Sequence, residues 1–163
     1  MLGGKCTLPT KVHLSSDTSG YCQARARLEE AVLQQIGTQV AEQLERQVTN
    51  EQLWLGRRVK IIDGTGLSMP DTAANQLEWP QNSGQKPGCG FPQLKVVGLF
   101  CLHSGALLEV AHGDKHHHDI TLARRLWHLQ QPKDILLADR GFCSYLDIAQ
   151  LLGRGIDCVM RLH

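Results

Sequence analysis

Polar and apolar positions change rhythm several times along the chain, and each change predicts an element. From Tyr21 to about Val48 the apolar residues Leu28, Val32, Ile36, Val40, Leu44 and Val48 recur every fourth position among Gln, Glu and Arg. That is the pattern of an amphipathic helix, and Gly37 marks a candidate break into two. Residues 1–20 are polar, carry Pro9 and a run from Ser15 to Gly20, and lack periodicity, so they read as an irregular leader.

The stretch Arg57 to Thr65 reads as a strand delivering a carboxylate, Asp63, and the apolar run Ile135 to Ala138 ends in a second, Asp139. Runs of this length bounded by turn signals predict interior strands. Residues 64–93 are rich in Gly, Pro, Asn and Gln and predict a long connection without regular structure. Leu94 to Leu102 and Ala106 to Ala111, joined by His103-Ser104-Gly105, predict an antiparallel hairpin. A helix is expected from His117 to Leu129, with Arg124, Arg125 and His128 facing away and Pro132 closing it. Ser144 with Asp147 three residues on predicts a capping box for a helix from about Tyr145 to Leu152, which argues against Asp139 being a cap itself. Gly155 to Arg161 predicts the last strand. The order strand, loop, hairpin, helix, strand, helix, strand predicts a mixed sheet in an α/β or α+β layer arrangement.

Composition narrows this little. The 163 residues, 42% hydrophobic, suffice for one domain with a core. No apolar run approaches the roughly 20 residues of a membrane span, and the N-terminus lacks the apolar core of a secretory signal, so no membrane association and a cytoplasmic location are expected. Six scattered cysteines without a Cys-x-x-Cys pair suggest reduced thiols rather than a zinc ribbon or a disulfide framework. A formal net charge of +1 would not by itself suggest nucleic acid.

Candidate chemistry sits at the two strand ends. Neighbouring carboxylates repel unless a cation lies between them, so Asp63 and Asp139 on adjacent strands would suit Mg²⁺ or Mn²⁺ in phosphoryl transfer. Alternatively, each only ends its strand in an Asx-type turn. A rival group is His112, His116, His117 and His118 with Asp114 and Asp119. The four-residue spacing of His112 and His116 resembles a zinc-binding helix, but Gly113 breaks the helix and the general-base Glu is missing, so a polar turn is the plainer reading. Arg140 and Arg161 follow apolar strands and could hold DNA phosphates or form surface ion pairs. Lys86 and Trp79, in the long connection, could meet DNA by charge and stacking, although for Trp79 loop packing is preferred.

The segment Val59-Lys60-Ile61-Ile62-Asp63-Gly64-Thr65, the loop from Gln76 to Pro92 containing Ser83-Gly84-Gln85-Lys86-Pro87-Gly88-Cys89-Gly90-Phe91-Pro92, and Leu136-Leu137-Ala138-Asp139-Arg140-Gly141-Phe142 resemble the DDE transposases of bacterial insertion sequences. The likeness is to the group with a Tyr-Arg-Glu-Lys signature around its third acid. It runs from about Ser19 to the C-terminus, since Ser19-Gly20-Tyr21-Cys22-Gln23-Ala24-Arg25 resembles the family's N-terminal segment.

The resemblance implies an α/β, ribonuclease-H-like mixed sheet with flanking helices, here incomplete. The expected organisation is a leader over 1–20, an N-terminal helical segment over 21–52 and a partial catalytic domain over 57–163. Asp63 and Asp139 would be the first two acids of a catalytic, metal-binding triad, with two Mg²⁺ or Mn²⁺ ions in the complete site. The implied activity is metal-dependent cleavage of double-stranded DNA at transposon ends and strand transfer into target DNA. The resemblance also implies DNA contacts at Arg140, Arg161 and Lys86, a homodimer in the full-length protein, and a bacterial cytoplasmic location at the nucleoid when DNA is bound.

The family's third acid is a glutamate on a later helix, and no Tyr-x-x-Arg-x-x-x-x-x-x-Glu-x-x-x-x-x-x-Lys pattern occurs here. Asp147, expected in a cap, and Asp157, expected in a strand, are not credible substitutes. The expectation is therefore a C-terminally truncated copy, inactive alone, whose sheet lacks a covering helix and exposes apolar surface. Two alternatives stand beside it: a non-catalytic DNA-binding or dimerising remnant, and a small histidine-site metal-binding protein.

Overall fold

The computed structural model describes residues 18–86 and 88–161. The leader expected over 1–20 lies outside the described residues, apart from its last three positions, and Ser19 and Gly20 already belong to the first helix.

The chain divides into two compact units, Met1–Gln34 and Gln35–His163. Helix α1 (Ser19–Ala26) belongs to the first, and α2 (Glu30–Arg46) begins there and runs into the second. The helical segment breaks between these helices rather than at Gly37. The N–H groups of Arg27 and Leu28 bond back three residues to the Ala24 and Arg25 carbonyls, tightening the end of α1. Gly37 has open space where a Cβ would stand, and its propensity cost of about 1 kcal/mol does not interrupt α2.

The second unit is built on a five-stranded mixed sheet. Strand β1 (Val59–Ser68) leads into a connection containing α3 (Ala73–Glu78), then β2 (Gln93–Cys101) and β3 (Leu107–Gly113) form the hairpin. Helix α4 (Asp119–Arg124), β4 (Ile135–Ala138), α5 (Tyr145–Gly153) and β5 (Asp157–Met160) follow. The spatial order is β3-β2-β1-β4-β5, antiparallel from β3 to β1 and parallel from β1 through β4 to β5. This is an α/β architecture, and the adjacency of β1 and β4 is the one expected of a ribonuclease-H-like sheet.

Three expectations need correction. Strand β1 does not end at Asp63, because Gly64 to Ser68 continue the antiparallel ladder with Val97 to Gln93. The long connection contains a short helix, α3, whose N-cap Thr72 accepts the N–H of Asn75 at 3.1 Å. The helix expected to reach Leu129 stops at Arg124, and Trp127–Leu129 forms a separate 3-10 turn. Between them Arg125 and Leu126 bond to the carbonyls three residues back, at 3.0 and 2.9 Å, a tighter winding than an α-helix sustains.

One face of the sheet carries Ile62, Val97, Leu99, Leu136 and Ala138 and packs with Leu122, Ala123, Leu126, Phe142 and Leu151 into a single core. The alternate residues point the other way, as the pleat requires. Of these, Phe100, Val110, Leu137 and Val159 are exposed, so the apolar surface expected on one face is present. Among the described residues no helix is long and apolar enough to cross a membrane. Cys22, Cys89, Cys101, Cys143 and Cys158 are free thiols. Burial, helped by the charge of Asp157, pushes the Cys158 thiol pKa up, which makes it a poor nucleophile.

Candidate functional site

The register of the two central parallel strands positions the acids. Val59, Lys60, Ile61 and Ile62 lie opposite Ile135, Leu136, Leu137 and Ala138. Asp63 and Asp139 are the next residues on the two chains, so they leave neighbouring backbones at the same level of the sheet, where strands run about 4.8 Å apart. Both are exposed.

Each carboxylate is oriented by its own backbone. Asp63 Oδ1 accepts the N–H of Gly64 at 2.8 Å, and Asp139 Oδ1 accepts the N–H of Gly141 at 2.9 Å. Asp139 therefore caps the 3-10 turn Arg140–Phe142, contrary to the expectation that a capping box at Ser144 relieves it of that role. The turn begins directly after β4, and its first N–H groups need an acceptor. No side-chain hydrogen bond from Ser144 caps α5, and the Asp147 carboxylate turns to Arg124 instead. A carboxylate has two oxygens, so forming the turn with one does not consume the group.

Glycines shape the same edge. A Cβ on Gly141 would stand 3.1 Å from Asp139 Oδ1, so a side chain there would press on the capping carboxylate. A Cβ on Gly64 would lie 3.4 Å from Asp119 Oδ2, which places the head of α4 beside the strand that carries Asp63. Asp119 in turn meets Lys95 at 3.5 Å. Both glycines belong to the Asp-Gly-Thr and Asp-Arg-Gly-Phe segments that carry the family resemblance, Gly64 directly after Asp63 and Gly141 two residues after Asp139.

The other candidates separate. Arg140 lies in the turn after β4 and Arg161 directly after β5, both exposed. Lys86 is exposed in the long connection, whose backbone is tied by Gln81 Nε2 to the Gln85 and Lys86 carbonyls at 3.1 and 2.8 Å. Trp79 packs edge-on against His112 with ring centroids 5.6 Å apart, the loop-packing role preferred for it. In the histidine cluster, His117 Nδ1 lies 2.6 Å from Asp114 Oδ1, and this hydrogen bond holds the Asp114 pKa below its ordinary value. Among the described residues no group of three or more His, Cys, Asp or Glu could hold a metal ion, so the histidine-site reading gains no support.

An α/β domain with two acids level on adjacent parallel strands is defined by this sheet. The family model for the Transposase DDE domain matches residues 54–163, and the chain belongs to that family. It is 29% identical over 126 residues to the transposase InsG for insertion sequence element IS4 of Escherichia coli (strain K12), across 77% of this chain and 28% of that protein. It is 27% identical over 106 residues to the transposase for insertion sequence element IS231D of Bacillus thuringiensis subsp. finitimus, across 65% of this chain and 21% of that protein. The chain thus spans less than a third of the length of either relative. No solved structure matches it.

Transposases of the DDE family act on DNA and generally use divalent metal ions. The donors here fit such an ion in kind, since carboxylates supply hard oxygens and Mg²⁺ commonly takes one or two of them while retaining several waters.

Proposed function

We propose that this chain forms part of the catalytic domain of an insertion-sequence transposase, with Asp63 and Asp139 as two of its metal-binding, catalytic acids. The observation that carries the reading is the β1–β4 register, which brings the two acids to one level on adjacent strands with one oxygen of each tied to a backbone N–H. The full reaction would be cleavage of double-stranded DNA at transposon ends followed by strand transfer into a target, and a homodimer would hold the two ends. Asp63 and Asp139 would hold Mg²⁺ or Mn²⁺ through their remaining oxygens. When bound there, a divalent cation offsets charge on the scissile phosphate and makes an attacking water more acidic. The chain's own contribution is to fix the two carboxylates before DNA arrives and to present Arg140, Arg161 and Lys86 to phosphates. Residues 57–163 would be the catalytic part and 21–52 a helical segment preceding it.

Mn²⁺ titration by calorimetry tests the site. Binding by the full chain should weaken at least tenfold in both Asp63→Asn and Asp139→Asn. Equal affinity in either variant would remove the assignment. A second reading, a DNA-binding protein without catalysis, draws on the exposed Arg140 and Arg161 at the exit edge of β4 and β5. Nicking of supercoiled DNA in Mn²⁺ separates the two: activity lost in Asp139→Asn argues for catalysis, while DNA binding without nicking argues for the second reading.

A further inference from the structure

We infer that Arg57 and Lys60, at the base of β1, are positioning residues that set the parallel register bringing Asp63 level with Asp139. The inference deepens the proposed ligand site and rests on that reading. Apolar patterning leaves the register open. Val59, Ile61 and Ile62 stand opposite Ile135, Leu137 and Ala138, and the residues of β4 are apolar on both faces of the sheet, so a two-residue slip keeps every side chain on its own face. Such a slip would carry Asp139 about 7 Å along the sheet, away from Asp63.

The polar contacts at the base of the strands are less forgiving. Lys60 is 4% exposed. Its ammonium lies 2.6 Å from Asp134 Oδ2 and donates to the Leu129 carbonyl at 2.6 Å. Asp134 Oδ2 also accepts the Gln131 N–H at 2.8 Å. Arg57 grips the same turn from outside: Nε donates to the Lys133 carbonyl at 2.7 Å and Nη2 to the Asp134 carbonyl at 3.2 Å. Its Nη1 lies 2.6 Å from Asp157 Oδ2 at the head of β5. Lys60 in β1 and Arg57, two residues before the strand begins, thus hold the turn that feeds β4 and the first residue of β5. Slippage in either direction draws the Leu129, Lys133 and Asp134 carbonyls away from these donors and strips contacts from a buried ammonium, which apolar packing cannot replace. Choosing one register among apolar alternatives is the best-attested use of a buried polar contact.

The test replaces the buried pair at similar volume, Lys60→Met with Asp134→Leu, in the full chain. Cross-strand nuclear Overhauser effects read the register directly, and Mn²⁺ titration reads the acids. In the double variant the Ile62–Ala138 effects should weaken, effects shifted by two residues should appear, and Mn²⁺ affinity should fall about tenfold or more. Arg57→Gln, at a half-buried position, should shift both readings in the same direction by a smaller factor, and it carries the test if the double variant does not fold. Native Ile62–Ala138 effects at full strength in a folded variant overturn the inference. If wild-type Mn²⁺ binding does not depend on Asp63 and Asp139, the ligand-site reading falls, and the Overhauser result still decides the register.

Discussion

Arg124 at the end of α4 and Asp147 in the first turn of α5 form a two-pronged ion pair, Nε to Oδ1 at 3.0 Å and Nη2 to Oδ2 at 2.9 Å. Asp147 is 1% exposed, so the pair fastens α5 to the helix that lies over the core face of the sheet. Burial alone would raise the Asp147 pKa, but the hydrogen bonds from Arg124 and Ser144 and the Arg124 charge outweigh it and hold the carboxyl below its ordinary value. The same contact raises the Arg124 pKa.

A carboxyl with a depressed folded pKa stabilises the fold above its unfolded value, and that contribution is lost as pH falls through the folded one. Asp147→Asn should therefore lower the thermal midpoint on the order of 5 °C at neutral pH. The gap to wild type should close as pH drops below the ordinary value of 3.8. Thermal unfolding of both proteins between pH 7 and pH 2.5 checks this; a gap that stays constant across the range would contradict it.

Asp134→Ala leaves the Lys60 ammonium buried beside the Leu129 carbonyl without its carboxylate. Removing one partner of a buried pair costs about 3–5 kcal/mol, far more than loss of a surface bridge. Urea unfolding should show a loss of that order in Asp134→Ala and a much smaller one when Lys60→Met is added, because the unpaired charge then disappears.

Glu45, near the end of α2, is the acceptor that ties this part of the helix to the sheet's edge. Its Oε2 lies 2.6 Å from Arg58 Nη1, and its Oε1 accepts the Ser104 hydroxyl at 2.6 Å. Burial opposes its charge, but contacts from Cys101, Ser104, Arg58 and Lys60 hold its pKa below the usual 4.5. Glu45→Ala should cost about 1–2 kcal/mol. It should also speed amide hydrogen exchange over residues 38–46 relative to the core strands. Acidification through the Glu45 pKa should reproduce part of that acceleration in wild type.

The exposed apolar residues among those described on the sheet's other face make a separate prediction. Leu137 and Val159 lie opposite one another on β4 and β5 and are 37% and 52% exposed. Leu137→Lys with Val159→Thr should change stability by only about 0.5 kcal/mol, as substitutions at exposed positions usually do. Binding of an apolar fluorescent dye and self-association should fall clearly. Unchanged dye binding would show that these residues do not form the accessible patch.

Much of the architecture was legible because it is written locally. Alternation and apolar runs marked all five strands, and Gly105 marked the hairpin turn. The misreadings were also local. Gly37 looked like a break, yet an exposed glycine in a long helix costs little. The Ser144–Asp147 spacing matched a capping box, but the Arg124 guanidinium competes for the carboxylate, and nothing near Asp147 in the chain announces it. The end assigned to β1 at Asp63 ignored β2, whose residues Gln93 to Val97 extend the ladder past the acid.

The sequence by itself determined that two strands each deliver an aspartate with a glycine one or two residues on, and in Asp-Gly-Thr and Asp-Arg-Gly-Phe it carried the resemblance to the transposase family. Only the tertiary structure decided that those strands are parallel neighbours in the one register that aligns Asp63 with Asp139. Apolar runs fix which face a residue occupies but not which partner stands opposite. That choice depends on contacts between residues far apart in the chain, here Arg57 and Lys60 against the turn before β4.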